Sequence, residues 1–239
     1  MHLFFIENTQ WVDSLASKIL LQEEEAHHAI KVLRLKVGDE VYATDGEGNW
    51  YQCAIEEVNK KNCLLSITQH WANYGKRNYK IHIAVAPTKN TKRFEWFLEK
   101  ATEMGIDEIT PIISRYSERK DLKIERSLKV ITAAMKQSLK AYHPTLNEAI
   151  QLKQFLTKKL PGEKYIAHLI DENQLSLKEL YSPSQDVCIL IGPEGDFSDE
   201  EIDMAQKKGF IAVKMGAQRL RTETAAMVAC NYIHFANDF

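Results

Sequence analysis

The spacing of apolar residues changes character near residue 75, and this change constrains the fold more than any other feature of the chain. Before it, apolar and polar residues alternate from about Glu40, in runs that begin at Val41, Tyr51 and Cys63. A period of two is typical of strands with one buried face, so these runs predict a small antiparallel sheet or barrel. A short helix over 23–34 is predicted ahead of them.

Beyond residue 78 the pattern indicates an α/β fold, because short apolar runs alternate with longer amphipathic segments. The polar stretch 73–78 lies between the two patterns and predicts a boundary between two domains, 1–72 and 78–239. The second domain should contain a mainly parallel sheet. Its predicted strands are 81–86, 109–113, 165–170, 187–191 and 211–215, and its predicted helices are 93–104, 127–141, 199–208 and 223–236.

Composition excludes several classes of protein. Hydrophobic residues make up 44% of the 239 residues and charged residues 27%, as in an ordinary globular protein rather than a disordered or collagen-like one. The longest apolar runs, such as Val187–Ile191, are far shorter than the roughly 20 residues of a membrane span, so we expect no membrane partner. The residues after Met1 do not resemble a signal peptide, which predicts a cytoplasmic protein.

The four cysteines indicate buried thiols rather than a metal or redox site. Cys53, Cys63, Cys188 and Cys230 each lie in an apolar run, and no two of them form a C-x-x-C pair. We therefore expect small buried side chains and no metal.

The net charge of −2 conceals a basic central segment. Residues 73–145 carry a net charge of +7, against −5 for 1–72 and −4 for 146–239. Clustered cations are typical of a surface that binds a phosphate polyanion. The alternative is a set of solvated helix faces whose cations are compensated by nearby carboxylates.

Two turns late in the chain are candidates for chemistry. The first, Gly192-Pro193-Glu194-Gly195, follows a buried strand and precedes Ser198 and Glu201, which can form a capping box on the next helix. Ligands in open α/β sheets bind beyond the carboxyl ends of strands, and glycines let a backbone approach a ligand closely. Any strand-to-helix turn favours Gly and Pro, however, so this turn also has a purely structural interpretation.

The second turn carries two arginines, Arg219 and Arg221, between a strand and an alanine-rich helix that Thr222 can cap. Arginine suits anionic and planar partners, and the helix N-terminus adds backbone donors. Ala225, Ala226 and Ala229 would let that helix pack closely. This turn is the stronger functional candidate of the two.

Together the two turns resemble the C-terminal motifs of the RsmE family of SPOUT methyltransferases, which methylate N3 of a uridine in small-subunit (16S) ribosomal RNA. The matching residues are Gly192-Pro193-Glu194-Gly195 and Gly216 with Arg219-Leu220-Arg221-Thr222-Glu223-Thr224-Ala225. The segment 99–105 with Pro111 and Ser117-Glu118-Arg119 resembles the same family, and 28–39 resembles its N-terminal PUA-like domain. Asp196 departs from the pattern, because many relatives have glycine there.

The resemblance implies an N-terminal PUA-like barrel, a C-terminal SPOUT domain with a trefoil knot, S-adenosylmethionine as cofactor, and a homodimer with ribosomal RNA as partner. It implies that the cofactor is held chiefly by backbone groups. The residues carried over to this pocket are His168, Leu169, Ile191, Gly192, Glu194, Gly195, Met215, Gly216, Leu220, Arg221 and Thr222.

Catalysis requires the methyl group to be aligned with N3 and the N3 proton to be removed. Negative charge then develops on the uracil oxygens, which Arg219 or Arg221 could stabilise. Glu194 and Glu223 are the conceivable bases. For binding of the RNA we expect mainly the basic central segment, with Arg115, Arg119 and Lys120, together with Arg34 of the first domain.

Other functions remain open at this stage. A ribose 2′-O-methyltransferase of the same superfamily would use a hydroxyl as nucleophile. A non-enzymatic RNA-binding protein would use the barrel alone and would have no need of a methyl donor. A nucleotide-phosphate loop is disfavoured because neither G-x-x-x-x-G-K-[ST] nor G-x-G-x-x-G occurs.

Overall fold

The computed structural model describes residues 1–6, 12, 17–169 and 175–238. The chain forms two units. The first comprises Met1–Lys76 with Met135–His143, and the second comprises Arg77–Ala134 with Pro144–Phe239. The first unit thus includes a short segment, Met135–His143, that the domain limits expected from sequence do not.

The first unit is built on a five-stranded sheet with the order β1-β3-β4-β5-β2. Three of its pairings are antiparallel, as the alternating pattern predicts, whereas β1 runs parallel to β3. The strands β1 and β2 were not predicted, because runs of three and four residues are too short to show a period. The strands are β1 Leu3–Phe5, β2 Lys18–Leu21, β3 Glu40–Thr44, β4 Trp50–Val58 and β5 Cys63–Trp71.

The prediction of one α-helix over 23–34 is wrong in detail. An α-helix, α1, spans Glu23–His27, and a π-helical turn follows at His28–Val32, where the amide of Leu33 donates to the carbonyl of His28. Arg34 then adopts a left-handed φ of 56°. The apolar spacing fits an α-helix throughout, so a single extra residue per turn could not be recognised from the pattern.

The second unit contains a seven-stranded sheet in which every pairing is parallel, as predicted. The order is β12-β10-β11-β6-β7-β8, and β9 pairs with β7. The two-residue strands β8 and β9 were not predicted. The strands are β6 Ile81–Val85, β7 Glu108–Ile113, β8 Thr145–Leu146, β9 Ile150–Gln151, β10 Glu163–Ala167, β11 Val187–Ile191 and β12 Ile211–Val213.

Helices cover both faces of this sheet. Phe94, Ala226 and Ala229 belong to the apolar core on one face, whereas Phe155 and Ile202 belong to the core on the other. Because both faces are covered, β6 and β11 are buried along their whole length. The helices are α2 Thr91–Met104, α3 Ile124–Gln137, α4 Leu152–Phe155, α5 Leu177–Leu180, α6 Asp199–Lys207 and α7 Thr222–Asp238.

Some predicted helices and strands begin and end close to the observed residues, and others do not. At the start of α2, the side chain of Asn90 accepts a hydrogen bond from the amide of Lys92. Gly105, with φ 98°, ends this helix close to the predicted end. The predicted helix 127–141 instead spans Ile124–Gln137, and Leu139 lies in the left-handed region with φ 56°. The predicted strands 165–170 and 211–215 correspond to the strands β10 and β12, with different ends.

Among the described residues, no helix is long and apolar enough to cross a membrane.

Candidate active site

Three loops at the carboxyl ends of β10, β11 and β12 line one cavity of about 350 Å³. Since the strands are parallel and β10 lies between the other two, the three loops emerge at the same edge of the sheet. This edge is where the sequence predicts ligand binding. The lining residues are Ala167, His168, Leu169, Ile191, Gly192, Pro193, Glu194, Asp196, Lys214, Met215, Gly216, Gln218, Arg219, Leu220, Arg221, Thr222 and Ala225.

Of the residues expected to hold the cofactor, all except Gly195 line this cavity. Gly195 lies between two lining residues, and a Cβ placed on it would come within 3.0 Å of the Cβ of Tyr116. A side chain at this position would press against Tyr116, which would have to move by a few tenths of an ångström. Here glycine allows a close approach between two loops.

The first turn is shaped by backbone hydrogen bonding and by close contact. The amide of Asp196 donates to the carbonyl of Pro193 at 2.9 Å, which closes the turn. A Cβ on Gly192 would lie 3.2 Å from the ring of Phe197. The predicted capping box of α6 is present, with the Glu201 carboxylate accepting from the amide of Ser198 at 3.0 Å. The turn thus leads directly into a well-capped helix.

Asp196 joins two of the three loops. One carboxylate oxygen accepts from the amide of Leu169 at 3.0 Å, and the other accepts from the amide of Phe197 at 2.8 Å. The residue has φ 65°, in the left-handed region that Asp and Asn tolerate better than most side chains. From sequence, this residue could be noticed only as a departure from the glycine of the family pattern.

Thr222 joins the third loop to the first turn. Its buried hydroxyl donates to the carbonyl of Gly192 at 2.9 Å, across 30 residues of sequence. This bond fixes the start of α7 against the Gly-Pro-Glu-Gly turn.

The two arginines reach the cavity as expected. Arg219 and Arg221 are exposed and line it, and neither guanidinium has a hydrogen-bond or ion-pair partner among the described residues. Two cations at the mouth of a cavity that make no such bond within the described part of the chain are available to an anionic ligand.

The two candidate carboxylates are placed differently. Glu194 lines the cavity, and one of its oxygens accepts from the amide of Lys89 at 3.0 Å. Glu223 is 7% exposed and does not line the cavity; its Oε1 lies 3.8 Å from Nε of Arg93. Its other oxygen is buried and has no hydrogen-bond partner among the described residues.

The expected RNA-binding residues lie in both units. Arg34 is exposed in the first unit, and Arg115, Arg119 and Lys120 follow β7 in the second. Arg119 donates to the carbonyl of Lys89 at 3.2 Å, and Arg115 donates to Glu200 at 3.1 Å. Exposed ion pairs such as the latter contribute little, so Arg115 can exchange Glu200 for a phosphate at small cost.

Part of the basic segment fits the alternative interpretation of compensated helix faces. Lys100 pairs with Glu99 and Glu103, and Arg126 pairs with Glu95. These cations lie on α2 and α3 and are already balanced by carboxylates. The segment therefore contributes fewer available cations than its 15 lysines and arginines would supply if none were paired.

Sequence reasoning did not identify several lining residues. Ala167, Lys214 and Gln218 adjoin identified residues but carry no motif of their own. Only their neighbours in sequence could have pointed to them.

Comparison with known proteins identifies relatives along nearly the whole chain. A family model described as an RNA methyltransferase domain matches residues 75–234, and one described as an RNA methyltransferase PUA domain matches residues 21–68. Ribosomal RNA small subunit methyltransferase E of Mesomycoplasma hyopneumoniae is 35% identical over 95% of this chain and 96% of its own length.

Two solved structures are similar across both units. A protein from Porphyromonas gingivalis, described as a probable rRNA-methyltransferase, has a TM-score of 0.91 and 37% identity and covers 100% of this chain and 99% of its own. A protein from Legionella pneumophila, described as a methyltransferase and solved in complex with the cofactor S-adenosylmethionine, has a TM-score of 0.84 and 29% identity over 99% of this chain and 97% of its own.

Proposed function

Because the chain belongs to the RNA methyltransferase family that includes the ribosomal RNA small subunit methyltransferases E, we propose that it transfers a methyl group from S-adenosylmethionine to N3 of a uridine in small-subunit ribosomal RNA. The family resemblance indicated by the two late motifs is confirmed. One observation carries the proposal. The loops that contain the two motifs and the loop after β10 together line one cavity, and two arginines lie at its mouth.

The cavity fits the cofactor in size and in chemistry. A volume of about 350 Å³ lies in the usual range for small-molecule sites. The lining combines apolar side chains such as Ile191 and Leu220 with the backbone of Gly192 and Gly216, which suits a ligand with a planar base and polar edges. The S-adenosylmethionine bound to the Legionella pneumophila relative supports this assignment.

When bound, S-adenosylmethionine supplies an electrophilic methyl group, so the protein has to position the uracil and remove its N3 proton. Arg219 and Arg221 are placed to stabilise negative charge on the uracil oxygens as N3 loses its proton. This stabilisation grows towards the transition state and so accelerates the reaction.

For the proton acceptor we propose Glu194 in preference to Glu223. Glu194 lines the cavity, and Glu223 does not. In this proposal Glu223 positions Arg93 and the first turn of α7 rather than touching the substrate. For contacts with the RNA phosphates we propose the cations named from the sequence, Arg34, Arg115, Arg119 and Lys120.

The topology of the second unit supports the proposed trefoil knot. The loop after β12 returns to β11, where Thr222 bonds to Gly192, although β10 lies between those strands. A homodimer belongs to the proposal because the family resemblance implies one, and a cytoplasmic location belongs to it because the proposed substrate is the RNA of a ribosomal subunit. Sedimentation of the purified protein tests the dimer.

The experiment that tests the function is nucleoside mass spectrometry of small-subunit ribosomal RNA from a deletion strain, with and without a rescue copy carrying Arg221→Ala. We expect one N3-methyluridine to disappear on deletion, to return with the wild-type copy, and to return only weakly with Arg221→Ala. A normal level of N3-methyluridine in the deletion strain would refute the proposal.

The same spectra separate the alternatives. Loss of a 2′-O-methylnucleoside instead would indicate a ribose methyltransferase. A protein that only binds RNA would change neither nucleoside and would show no saturable heat of binding with S-adenosylmethionine.

A further inference from the structure

Tyr116 is an exposed aromatic residue beside the cavity that neither of the late motifs includes. It follows β7, and 48% of its surface is exposed. Its hydroxyl has no hydrogen-bond partner among the described residues. Tyrosine combines an apolar ring with a polar tip and is enriched at binding interfaces, so a ring at the edge of a cavity is a candidate contact for a ligand.

The ring lies directly against the Gly-Pro-Glu-Gly turn. The Cβ of Tyr116 would be 3.0 Å from a Cβ on Gly195, and its Cγ 3.6 Å. On either side of Gly195, Glu194 and Asp196 line the cavity. Tyr116 therefore packs against a residue whose two neighbours in sequence form part of the cavity wall.

The turn that carries Tyr116 is held on both sides. The buried Ser114 and Ser117 bond to each other, with the amide of Ser114 donating to the hydroxyl of Ser117 at 3.0 Å. The amide of Arg115 donates to Glu201 at 2.8 Å, which is the same carboxylate that caps α6. A ring on so constrained a turn loses little conformational freedom on binding, which favours its use as a contact surface.

One cation lies beside the ring, and two more follow on the same loop. The guanidinium carbon of Arg115 lies 5.8 Å from the ring centroid, and Lys120 is exposed on the same loop. Arg119 is fixed nearby through the carbonyl of Lys89. An aromatic ring among cations matches single-stranded RNA, whose bases stack on aromatic side chains while cations contact the phosphates.

We propose that Tyr116 stacks on a nucleobase of the RNA strand that enters the cavity, and so positions the strand for methyl transfer. This inference rests on the proposed function, because it presumes that the substrate is RNA. Uracil N3 lies on the base-pairing edge, so the target has to be unpaired, and unpaired bases are those with free faces for stacking. Tyr116 is a positioning residue here, and its ring rather than its hydroxyl is the active feature.

The test compares Tyr116→Ala with Tyr116→Phe. Stacking on an aromatic side chain typically changes affinity by about tenfold or more, so Tyr116→Ala should raise the KM and the Kd for a ribosomal RNA fragment by about that factor. The Kd for S-adenosylmethionine should stay within about twofold, because Tyr116 does not line the cavity. Tyr116→Phe should restore RNA binding.

Photo-crosslinking adds a readout that needs no variant of Tyr116. RNA fragments carrying 5-iodouridine at the target position or at either neighbouring position are irradiated with the wild-type protein and S-adenosylhomocysteine. Peptide mass spectrometry should place a crosslink on Tyr116 for at least one position.

The results of these experiments decide whether Tyr116 stacks on the RNA. Unchanged RNA affinity in Tyr116→Ala overturns the inference, as does a Tyr116→Phe variant as weak as Tyr116→Ala, since the hydroxyl would then be responsible. If the wild-type protein binds the fragment in the expected Tyr116-dependent way but forms no N3-methyluridine, the proposed function fails and the stacking inference stands.

Discussion

At the scale of single residues, the site depends on side chains that join loops rather than on side chains that face the cavity alone. Asp196 is the main example, because its carboxylate connects the loop after β10 to the turn after β11. A non-glycine residue with φ 65° carries some strain, which the two hydrogen bonds offset. In the sequence, Asp196 was notable only as a departure from the glycine that the family resemblance leads us to expect.

Replacing Asp196 by alanine should weaken the binding of S-adenosylmethionine by about 5- to 30-fold. The amide of Leu169 loses its acceptor, and a bond to a charged group contributes roughly 1–2 kcal/mol. Isothermal titration measures the effect, and Asp196→Asn, which tolerates the left-handed conformation and keeps one acceptor oxygen, should lose less. Equal affinity for wild type and Asp196→Ala would mean that the loop needs no such connection.

Replacing Thr222 by valine should lower the free energy of unfolding by about 1–3 kcal/mol. The change conserves shape but leaves the buried carbonyl of Gly192 without its donor. Urea unfolding measures this, with Thr222→Ser as the control that keeps the hydroxyl. If valine is tolerated as well as serine, the bond contributes nothing to stability.

At the scale of elements, the sequence predicts long helices and strands better than short ones. The helix predicted over 93–104 was confirmed as α2, because its fourteen residues show a clear helical period that buries Phe94, Phe97, Leu98 and Ala101. The four-residue helices α4 and α5 and the π-helical turn were not foreseen. Their formation depends on packing and hydrogen bonding that no local period encodes.

The closing helix α7 should be sensitive to size at its small residues. Ala229 is fully buried in the core that α2 and α7 share, so Ala229→Leu should cost about 1–3 kcal/mol through overpacking. Ala229→Ser adds only one oxygen atom, and its hydroxyl can bond to a carbonyl within the helix, so the loss of stability should be clearly smaller. Thermal unfolding of both variants measures which loses more stability. Equal losses of stability would show that side-chain volume is not the cause.

At the scale of the whole molecule, buried thiols are distributed through both units. All four cysteines are buried, as predicted. Burial raises the pKa of Cys53 and of Cys230 to about 12 and that of Cys63 to about 11, and it also raises the pKa of Cys188. The folded protein therefore keeps these thiols protonated in weakly alkaline solution.

Stability should fall as pH rises above about 9. The ordinary thiol pKa is 9.0, so unfolded chains release protons there while the folded protein does not until about 11 to 12. Stabilisation from a raised pKa is thus complete below pH 9 and is lost above it, by roughly 1 kcal/mol per thiol at pH 10.

Chemical unfolding at pH 8 and pH 10 measures this loss. Cys230→Ala should show a smaller difference between the two pH values than wild type, even though it is less stable at both. A Cys230→Ala variant with the full pH-dependent loss would mean that other groups are responsible.

The sequence by itself determined the division into an alternating-strand region and a parallel α/β region, the two turns that line the cavity, and the burial of the cysteines. These features are local: periods, spacings and motifs are properties of neighbouring residues. The tertiary structure alone decided that Asp196 holds Leu169, that Thr222 bonds to Gly192, and that Tyr116 lies on Gly195. Each of these contacts joins residues 27 to 79 positions apart, and such pairs meet only because parallel strands bring the ends of distant segments to one edge of the sheet.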